Sequence, residues 1–318
     1  MVLFVTGQCE RSCIYCPISK ERKGEDVAFA DEQAVKNIDD ILEEAKAIGA
    51  LGTGITGGEP LLKLDFVLDC IKALKGEFGR EHHIHLYTGI LPSSEVLKKL
   101  RDAGLDEIRF HPSYSKWPDP MLLKKALRKA KSLGMEAGVE IPALAPAPEI
   151  LEAIKTEDAF LNINELELSE TNFEALKALG FESKDLGCGA VGSEEIARKH
   201  FLLEDAKVHY CPSRFKDAVQ LRERLKRRAK RVARPFDCLT QEGTIIHGTI
   251  GGNLTKALRI LEELDIPEEM YFKHEDRIDI AAAILEEISK ELKSIDCIIS
   301  VIERFPLEDG LVVERIPL

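Results

Sequence analysis

A short polar loop near the start of the chain holds three cysteines that could bind a metal cluster. Cys9, Cys13 and Cys16 are spaced C-x3-C-x2-C and follow the hydrophobic run Val2–Thr6. Three thiolates at this spacing can occupy three corners of a [4Fe–4S] cluster, which normally binds four cysteines. The loop supplies no fourth thiol, so the fourth iron would be open to a small molecule.

Zinc binding and disulfide formation are the two other interpretations of these thiols. Structural zinc sites close with four ligands at other spacings, and no fourth Cys or His lies close to the loop in the sequence. Three cysteines cannot all pair with one another, and a chain without a secretory signal indicates a reducing compartment. The loop therefore favours iron–sulfur chemistry.

A second motif, Thr56-Gly57-Gly58-Glu59-Pro60, follows the next predicted strand. Alone it would be an ordinary glycine-rich turn between a strand and a helix. Together with the cysteine loop, whose third cysteine is preceded by the aromatic Tyr15, it resembles the radical S-adenosylmethionine (radical SAM) superfamily. The resemblance extends over residues 1–170, about half of the chain.

The resemblance implies two cofactors, a [4Fe–4S] cluster and S-adenosylmethionine (SAM). The three cysteines would bind three irons, and SAM would chelate the fourth through its amino and carboxylate groups. One electron from the cluster would break the C5′–S bond of SAM and form a 5′-deoxyadenosyl radical, which takes a hydrogen atom from a substrate. A separate electron donor, such as a ferredoxin or flavodoxin, would reduce the cluster.

The resemblance also implies which residues surround SAM. Glu59 would offer its carboxylate to the methionyl amino group, and the preceding glycines would let the backbone approach closely. Tyr15 would pack on the adenine or on the rim of the barrel. Thr88 stands where the family places a group near the ribose or carboxylate of SAM, although the Asn that often follows it is absent. The candidate cofactor-binding residues are Tyr15, Gly57, Gly58, Glu59, Pro60, Thr88 and Asn164.

His111 and Glu140 are the candidate catalytic residues. His111 ends the fourth predicted strand, where it could bond the ribose, carry a proton near neutral pH, or bond only to the backbone of the rim. Glu140 and Asn164 lie in the fifth and sixth strands and are expected to face the substrate cavity, because glutamates are rarely buried without a partner. An outward-facing Glu140 paired with Lys or Arg is the alternative.

The elements that must position these residues alternate regularly along the first half of the chain. Such βα repeats predict a parallel sheet with right-handed crossovers, and the resemblance implies a partial (β/α)6 barrel. The motifs then converge on one face, because the chemistry of βα barrels lies at the carboxyl ends of the strands. The predicted strands are Val2–Thr6, Gly52–Thr56, Ile84–Thr88, Glu107–His111, Glu136–Ile141 and Asn162–Leu168. The predicted helices are Asp31–Ala47, Leu64–Lys75, Ser94–Ala103, Met121–Leu133 and Pro148–Thr156.

The pattern changes towards the C-terminus. We expect a radical SAM domain over residues 1–190 and a smaller α+β module over residues 191–318, closed by a hairpin that turns at Glu308-Asp309-Gly310. Segment 214–234 carries ten Lys or Arg and two acidic residues and is predicted to be a basic helix. Its charge suits the phosphates of RNA, but pairing with the acidic remainder of the chain is equally compatible, since the segment lacks a pattern of aromatics for base stacking.

The remaining cysteines divide into two groups. Cys188, Cys211 and Cys238 read as loop cysteines that could hold an auxiliary cluster or be purely structural. Cys70 and Cys297 stand in apolar patterns and are predicted to be buried in the core.

Composition and charge bound the function. The net charge of −12 excludes a general attraction of the whole surface to nucleic acid. The sequence contains no run of about 18 apolar residues, so no membrane-spanning helix is predicted. A cytoplasmic location is expected. Three substrates stay open. A glycine of a partner enzyme would make the protein an activase of a glycyl-radical enzyme, RNA would make it a tRNA-modifying enzyme, and a small metabolite or peptide would make it a metabolic enzyme. A structural iron–sulfur or zinc protein is the non-enzymatic alternative.

Overall fold

The structure is a computed structural model that describes residues 1–114, 120–184, 187–201, 206–307 and 310–318. The chain divides into two compact units. The first contains residues 1–46 and 50–219, and the second contains residues 47–49 and 220–318. The predicted boundary between domains at residue 190 is not tested by this division and stays a prediction.

The first unit is a nine-stranded sheet with helices between its parallel strands. Six strands run parallel to their neighbours in chain order, as predicted; a seventh parallel strand, β9, extends the sheet, and an antiparallel hairpin, β2 and β3, lies at the other edge. The strands are β1 (Val2–Phe4), β2 (Ala28–Ala30), β3 (Gln33–Val35), β4 (Gly52–Thr56), β5 (His83–Thr88), β6 (Glu107–Phe110), β7 (Glu136–Pro142), β8 (Phe160–Asn164) and β9 (Lys207–Cys211). The helices are α1 (Ile38–Ala47), α2 (Leu64–Phe78), α3 (Ser94–Ala103), α4 (Pro120–Ser132), α5 (Pro148–Thr156), α6 (Phe173–Ala178) and α7 (Ser193–Phe201).

Helix α3 shows how local signals set the element bounds. The hydroxyl of Ser93 accepts a hydrogen bond from the backbone N–H of Val96 at 3.3 Å and caps the helix. Gly104 ends it with a φ of 114°, a left-handed conformation that glycine adopts without strain. The predicted helix over Ser94–Ala103 is confirmed.

The helix predicted over Asp31–Ala47 is wrong in its first seven residues. Residues 28–35 form the hairpin of β2 and β3, and α1 begins only at Ile38. Asp31 has a φ of 53°, which a helix excludes, and its Oδ1 accepts the backbone N–H of Val2 at 2.8 Å. The bond to β1 is a tertiary contact that the local pattern could not reveal.

The two faces of the parallel sheet differ in chemistry. In β5, Ile84 and Leu86 are fully buried among aliphatic residues of the core, whereas His85 and Tyr87 point to the opposite face. The strand register continues that second face across the sheet and pairs Tyr87 with Arg109, and Glu140 with Asn162. We call this second face the polar face; its members are His85, Tyr87, Glu107, Arg109, Glu140, Asn162 and Asn164.

The second unit is an antiparallel sheet with short helices and its own apolar core. The strand order is β12-β13-β11-β14-β15, and β10 pairs with β11. Its strands are β10 (Cys238–Leu239), β11 (Ile245–Gly251), β12 (Tyr271–Lys273), β13 (Ile278–Ile280), β14 (Ile298–Arg304) and β15 (Val312–Pro317), and its helices are α8 (Arg222–Val232), α9 (Leu254–Glu263), α10 (Ala282–Glu287) and α11 (Ser289–Lys293). The predicted fold class, a parallel βα unit with a separate α+β module, is confirmed.

The C-terminal hairpin and the basic segment differ in how far they follow the predicted pattern. Strands β14 and β15 pair as a hairpin, but residues 308 and 309 of its predicted turn lie outside the described residues. Segment 214–234 is not one regular helix, because Lys216–Leu221 adopts π-helical geometry before α8 begins. No helix in the part of the chain that the structure describes is long and apolar enough to cross a membrane.

Candidate functional site

The cysteine loop and the Gly-Gly-Glu-Pro motif are joined through their backbones. Beyond the end of β1, the N–H of Gly58 donates to the carbonyl of Thr6 at 2.7 Å, and the N–H of Glu59 donates to the carbonyl of Gln8 at 2.8 Å. Strands β1 and β4 therefore continue their pairing into the two motifs. The sequence separates the motifs by about forty residues, and the sheet places them side by side at the carboxyl ends of their strands.

The two glycines make this close pairing possible. A Cβ atom at Gly58 would lie 2.3 Å from the carbonyl oxygen of Gln8, and one at Gly57 would lie 2.5 Å from that of Thr6. Gly57 also has a φ of 154°, at the edge of the range that favours glycine. The glycines hold the cysteine loop against the motif, and their predicted contact with SAM stays a prediction.

The carboxylate of Glu59 is buried and accepts three hydrogen bonds from its surroundings. Oε1 accepts from the N–H of Leu61 at 3.1 Å and from the hydroxyl of Thr88 at 2.8 Å, and Oε2 accepts from the N–H of Gly89 at 2.7 Å. Glu59 thereby caps the 3-10 helix that starts at Pro60 and ties the end of β4 to the end of β5. A carboxylate has about four acceptor positions, so one position remains for the predicted amino group of SAM.

Thr88 is buried beside Glu59, and its hydroxyl is already bonded. It donates to Glu59 and accepts from the N–H of Ile90 at 3.2 Å. The hydroxyl thus fixes the turn after β5. Its proposed proximity to the ribose or carboxylate of SAM stays a prediction.

The three cysteines of the loop are free thiols. Cys9 is exposed, Cys13 and Cys16 are half-buried, and a backbone bond from the N–H of Cys16 to the carbonyl of Cys13 at 3.1 Å forms a turn between them. Within the described residues, no three Cys, His, Asp or Glu side chains are arranged as a metal site, so ligation by these thiols stays a prediction. The donor set nevertheless fits an iron–sulfur cluster, which takes thiolates from one such loop.

Tyr15 and His111 pack against each other beside the cysteines. Their ring centroids are 5.8 Å apart at an interplanar angle of 61°, and the Tyr15 hydroxyl lies 3.3 Å from His111 Nε2. Burial and the nearby guanidinium of Arg11 lower the pKa of His111 to about 4. At neutral pH the imidazole is therefore uncharged, which suits a hydrogen-bonding role better than that of a proton carrier.

Arg11 is a site residue that the sequence analysis missed. Its Nη1 donates to the carbonyl of His111 at 2.8 Å and lies where a side chain at Gly89 would be, because a Cβ there would be 1.5 Å away. Its Nη2 is buried and has no hydrogen-bond partner. A buried guanidinium N–H without an acceptor is costly, so this group is available to a ligand or a water molecule beside the loop.

Glu140 is the centre of a hydrogen-bonded network on the polar face. Its Oε1 accepts from Asn164 Nδ2 at 2.6 Å, and its Oε2 accepts from Arg109 Nη1 at 3.1 Å and from Asn162 Nδ2 at 3.4 Å. Arg109 also bonds to Glu107 and, at 2.8 Å, to the Tyr87 hydroxyl. Glu140 and Asn164 lie on the polar face, and Glu140 is paired with Arg109, the kind of partner that the alternative expectation named. That these two residues face a substrate cavity, and that Glu140 is catalytic, stay predictions.

The five other cysteines lie outside the cysteine loop. Cys70 and Cys297 are buried, as expected for core residues. Cys188 and Cys211 are half-buried in the first unit, and Cys238 is exposed in the second. The prediction of loop positions is wrong for Cys211, which ends β9, and for Cys238, which begins β10. The described residues show no cluster that would support an auxiliary metal site.

A parallel βα unit that carries three free cysteines and an adjoining Gly-Gly-Glu-Pro turn at one edge defines the class of iron–sulfur enzymes that bind SAM. Residues 3–136 match the radical SAM superfamily, and residues 243–318 match a domain of unknown function, DUF8061. The putative glycyl-radical enzyme activating enzyme MJ0021 of Methanocaldococcus jannaschii is 41% identical over 339 residues, which cover all of this chain and 89% of that protein. The chain belongs to the radical SAM superfamily.

More distant relatives match smaller parts of the chain. The GTP 3′,8-cyclase of Lactiplantibacillus plantarum is 30% identical over 109 residues, 33% of this chain and 31% of that enzyme. The crystal structure of methylornithine synthase (PylB) superposes with a TM-score of 0.45 at 14% identity over 66% of this chain and 70% of that chain. The match to the superfamily and the relative that spans the whole chain show that the protein is a radical SAM enzyme that uses a [4Fe–4S] cluster and SAM.

Proposed function

We propose that this radical SAM enzyme removes a hydrogen atom from a glycine of a partner protein, as an activase of a glycyl-radical enzyme. When bound, the reduced cluster and SAM supply a 5′-deoxyadenosyl radical that takes the hydrogen atom. The backbone pairing of the cysteine loop with Gly57–Glu59 is the observation that carries the chemistry. The name of the relative that matches the whole chain supports the substrate class.

The chain's own residues divide the work of holding the cofactors. Cys9, Cys13 and Cys16 would bind three irons. Glu59 would accept the methionyl amino group with its remaining acceptor position, and Arg11 would donate its unpartnered Nη2–H to the methionyl carboxylate. His111, uncharged at neutral pH, would help to hold Tyr15 beside the cysteines, because its ring bonds to the Tyr15 hydroxyl and to the backbone of Glu140.

The polar face suits an uncharged polypeptide segment. Asn162 and Asn164 both donate to Glu140 through Nδ2, so each carboxamide keeps its oxygen as an acceptor for a peptide N–H. The positive charge of Arg109 is balanced by Glu107 and Glu140. A substrate that carries phosphates would find no excess of positive charge among these residues.

The cluster needs an external reductant, and we infer a small electron carrier such as a ferredoxin or flavodoxin. A cytoplasmic location follows from the same proposal, because an open iron site is sensitive to oxygen and depends on a reducing compartment.

The proposed reaction predicts deuterium transfer from glycine to 5′-deoxyadenosine. Reconstituted enzyme is incubated without oxygen with SAM, dithionite and a desalted extract of source cells grown on α-deuterated glycine. We expect 5′-deoxyadenosine that contains deuterium, detected by mass spectrometry, and we expect protease but not nuclease treatment of the extract to remove the signal. An extract labelled with α-deuterated alanine is the control. Formation of 5′-deoxyadenosine with no deuterium from either extract would contradict a glycine substrate while leaving radical SAM activity intact.

Modification of RNA is the second candidate function, and the contacts of α8 disfavour it. Arg227 Nε donates to the carbonyl of Ile48 at 2.8 Å, and Arg228 Nε donates to that of Pro306 at 2.6 Å. Lys216 pairs with Glu167 at 2.7 Å. Several charges of the basic segment therefore stabilise the chain itself.

Charge reversal in α8 tests whether the basic segment stabilises the chain or binds RNA. We expect the double change Arg227→Glu and Arg228→Glu to lower the free energy of unfolding by about 1–3 kcal/mol, because two charged hydrogen bonds to carbonyls are lost. Denaturant unfolding measures this, with Lys230→Glu on the same helix, an exposed position, as the control. Salt-sensitive binding of tRNA by the wild type that the double change abolishes without loss of stability would favour RNA instead.

A further inference from the structure

We propose that Thr171 and Asn172 position the cysteine loop, and thereby the cluster, although they lie about 155 residues beyond it in the sequence. They belong to the segment Ser169–Asn172, which follows β8. The proposal rests on the assignment of Cys16 as a cluster ligand and goes beyond it by naming the residues that hold this part of the loop. Both are positioning residues, since they contact the backbone of the loop and not the reacting atoms.

Side chains of this segment bind the backbone carbonyls of the third cysteine and of two residues close to it. Thr171 Oγ1 lies 3.1 Å from the carbonyl oxygen of Cys16 and 2.8 Å from that of Ile18, and Asn172 Nδ2 donates to the carbonyl of Tyr15 at 3.1 Å. The carbonyl of the cysteine, one before it and one after it are thus all bonded to the same short segment. Such contacts outside the ligand set orient ligands and tune metal sites.

Internal hydrogen bonds hold the segment Ser169–Asn172 in place. Asn172 is buried, its Oδ1 accepts from the N–H of Ser169 at 2.7 Å, and its Nδ2 also donates to the carbonyl of Glu167 at 2.9 Å. The hydroxyl of Ser169 lies 3.0 Å from that of Thr171, so Ser169 can donate to Thr171 while Thr171 donates to the loop. The Asn172 carboxamide therefore bonds both to the cysteine loop and to the segment that supports it.

An ion pair and apolar packing add to the contact between the cysteine loop and residues 166–176. The N–H of Lys20 donates to Glu170 Oε1 at 3.0 Å, and the two side chains form an ion pair at 3.3 Å. Tyr15 is buried in a small apolar cluster with Leu166, Leu168 and Leu176, and Cys13 packs against that cluster. The second half of the loop therefore rests on residues 166–176, whereas its first half pairs with Gly58 and Glu59.

The test compares Thr171→Val, which keeps the shape and removes the hydroxyl, with Thr171→Ser, which keeps the hydroxyl. In the reconstituted enzyme without SAM, we expect Thr171→Val to release iron to a chelator about fivefold faster, the factor that corresponds to one hydrogen bond of about 1 kcal/mol. Thr171→Ser should stay within about twofold of the wild type. Thr156→Val is the matched control, because that hydroxyl bonds only to the carbonyl of Glu152 at 2.8 Å in α5.

A readout without metal separates this proposal from the cluster itself. In the apo protein, iodoacetamide should alkylate Cys16 faster in Thr171→Val than in the wild type, relative to alkylation of the exposed Cys238 as an internal standard. The melting temperatures of the variants show whether folding is intact. Equal iron release and equal alkylation in Thr171→Val and the wild type would overturn the proposal, as would equal effects of the Val and Ser changes. Failure of the wild type to bind iron would contradict the ligand assignment instead, and the alkylation rates would still decide the positioning role.

Discussion

Replacing Cys13 with alanine is expected to abolish the iron–sulfur cluster of this enzyme. If the three thiols of the loop bind three irons, as proposed, a cubane that keeps only two thiolates has two open irons and is expected to be lost during purification. Iron analysis of anaerobically reconstituted protein should give about four irons per chain for the wild type and close to none for Cys13→Ala. The brown absorbance and the EPR signal of the reduced cluster should disappear with the iron.

The control for this change is Cys238→Ala, which removes an exposed thiol of the second unit. It should keep the full iron content, and its melting temperature should match that of the wild type. About eight irons per chain in the wild type would revive an auxiliary cluster at Cys188, Cys211 and Cys238. Zinc at one ion per chain with no uptake of iron would show that the assignment of the loop is wrong.

The elements that local signals define were predictable from the sequence. Helix α3 has a serine cap, an apolar stripe and a terminal glycine, and it forms where these signals place it. The hairpin of β2 and β3 was not predictable, because Asp31 turns the chain through a bond to β1 rather than through a local motif. A pattern of apolar residues reports which side is buried and does not report which strand supplies a hydrogen bond.

The sequence proposes the candidate ligands of the site but does not reveal the residues that support them. The cysteine spacing and the Gly-Gly-Glu-Pro turn identify the cofactors because the chemistry requires those residue types at those intervals. Arg11 and Asn172 bond to partners about 100 and 157 positions away in the sequence, directly after β6 and in the cysteine loop, so no local pattern marks them. Glu59 illustrates both cases, since the motif identifies the residue and only the fold reveals its bonds to Thr88 and Gly89.

Those bonds give Glu59→Ala the second large expected effect. The change removes the carboxylate that satisfies the N–H groups of Leu61 and Gly89 and the hydroxyl of Thr88. An unsatisfied buried donor costs about 1–3 kcal/mol, so we expect the free energy of unfolding to fall by roughly 3–6 kcal/mol. That is a large share of the typical stability of a protein, about 5–15 kcal/mol. Thermal and denaturant unfolding measure the loss.

Glu59→Gln separates the structural role of this residue from its predicted contact with SAM. The amide oxygen can still accept from Leu61 and Thr88, whereas the amide nitrogen meets the N–H of Gly89 and cannot accept it, so the protein should lose only about 1–3 kcal/mol of stability and remain folded. The negative charge is gone, however, and a charge-assisted bond to the methionyl amino group contributes about 1.5–3 kcal/mol. We therefore expect the Kd of SAM for the cluster-loaded variant to rise at least tenfold in titrations followed by EPR. If a folded Glu59→Gln variant binds SAM as tightly as the wild type, Glu59 does not contact SAM. Its role is then purely structural, as the residue that ties the end of β4 to the end of β5.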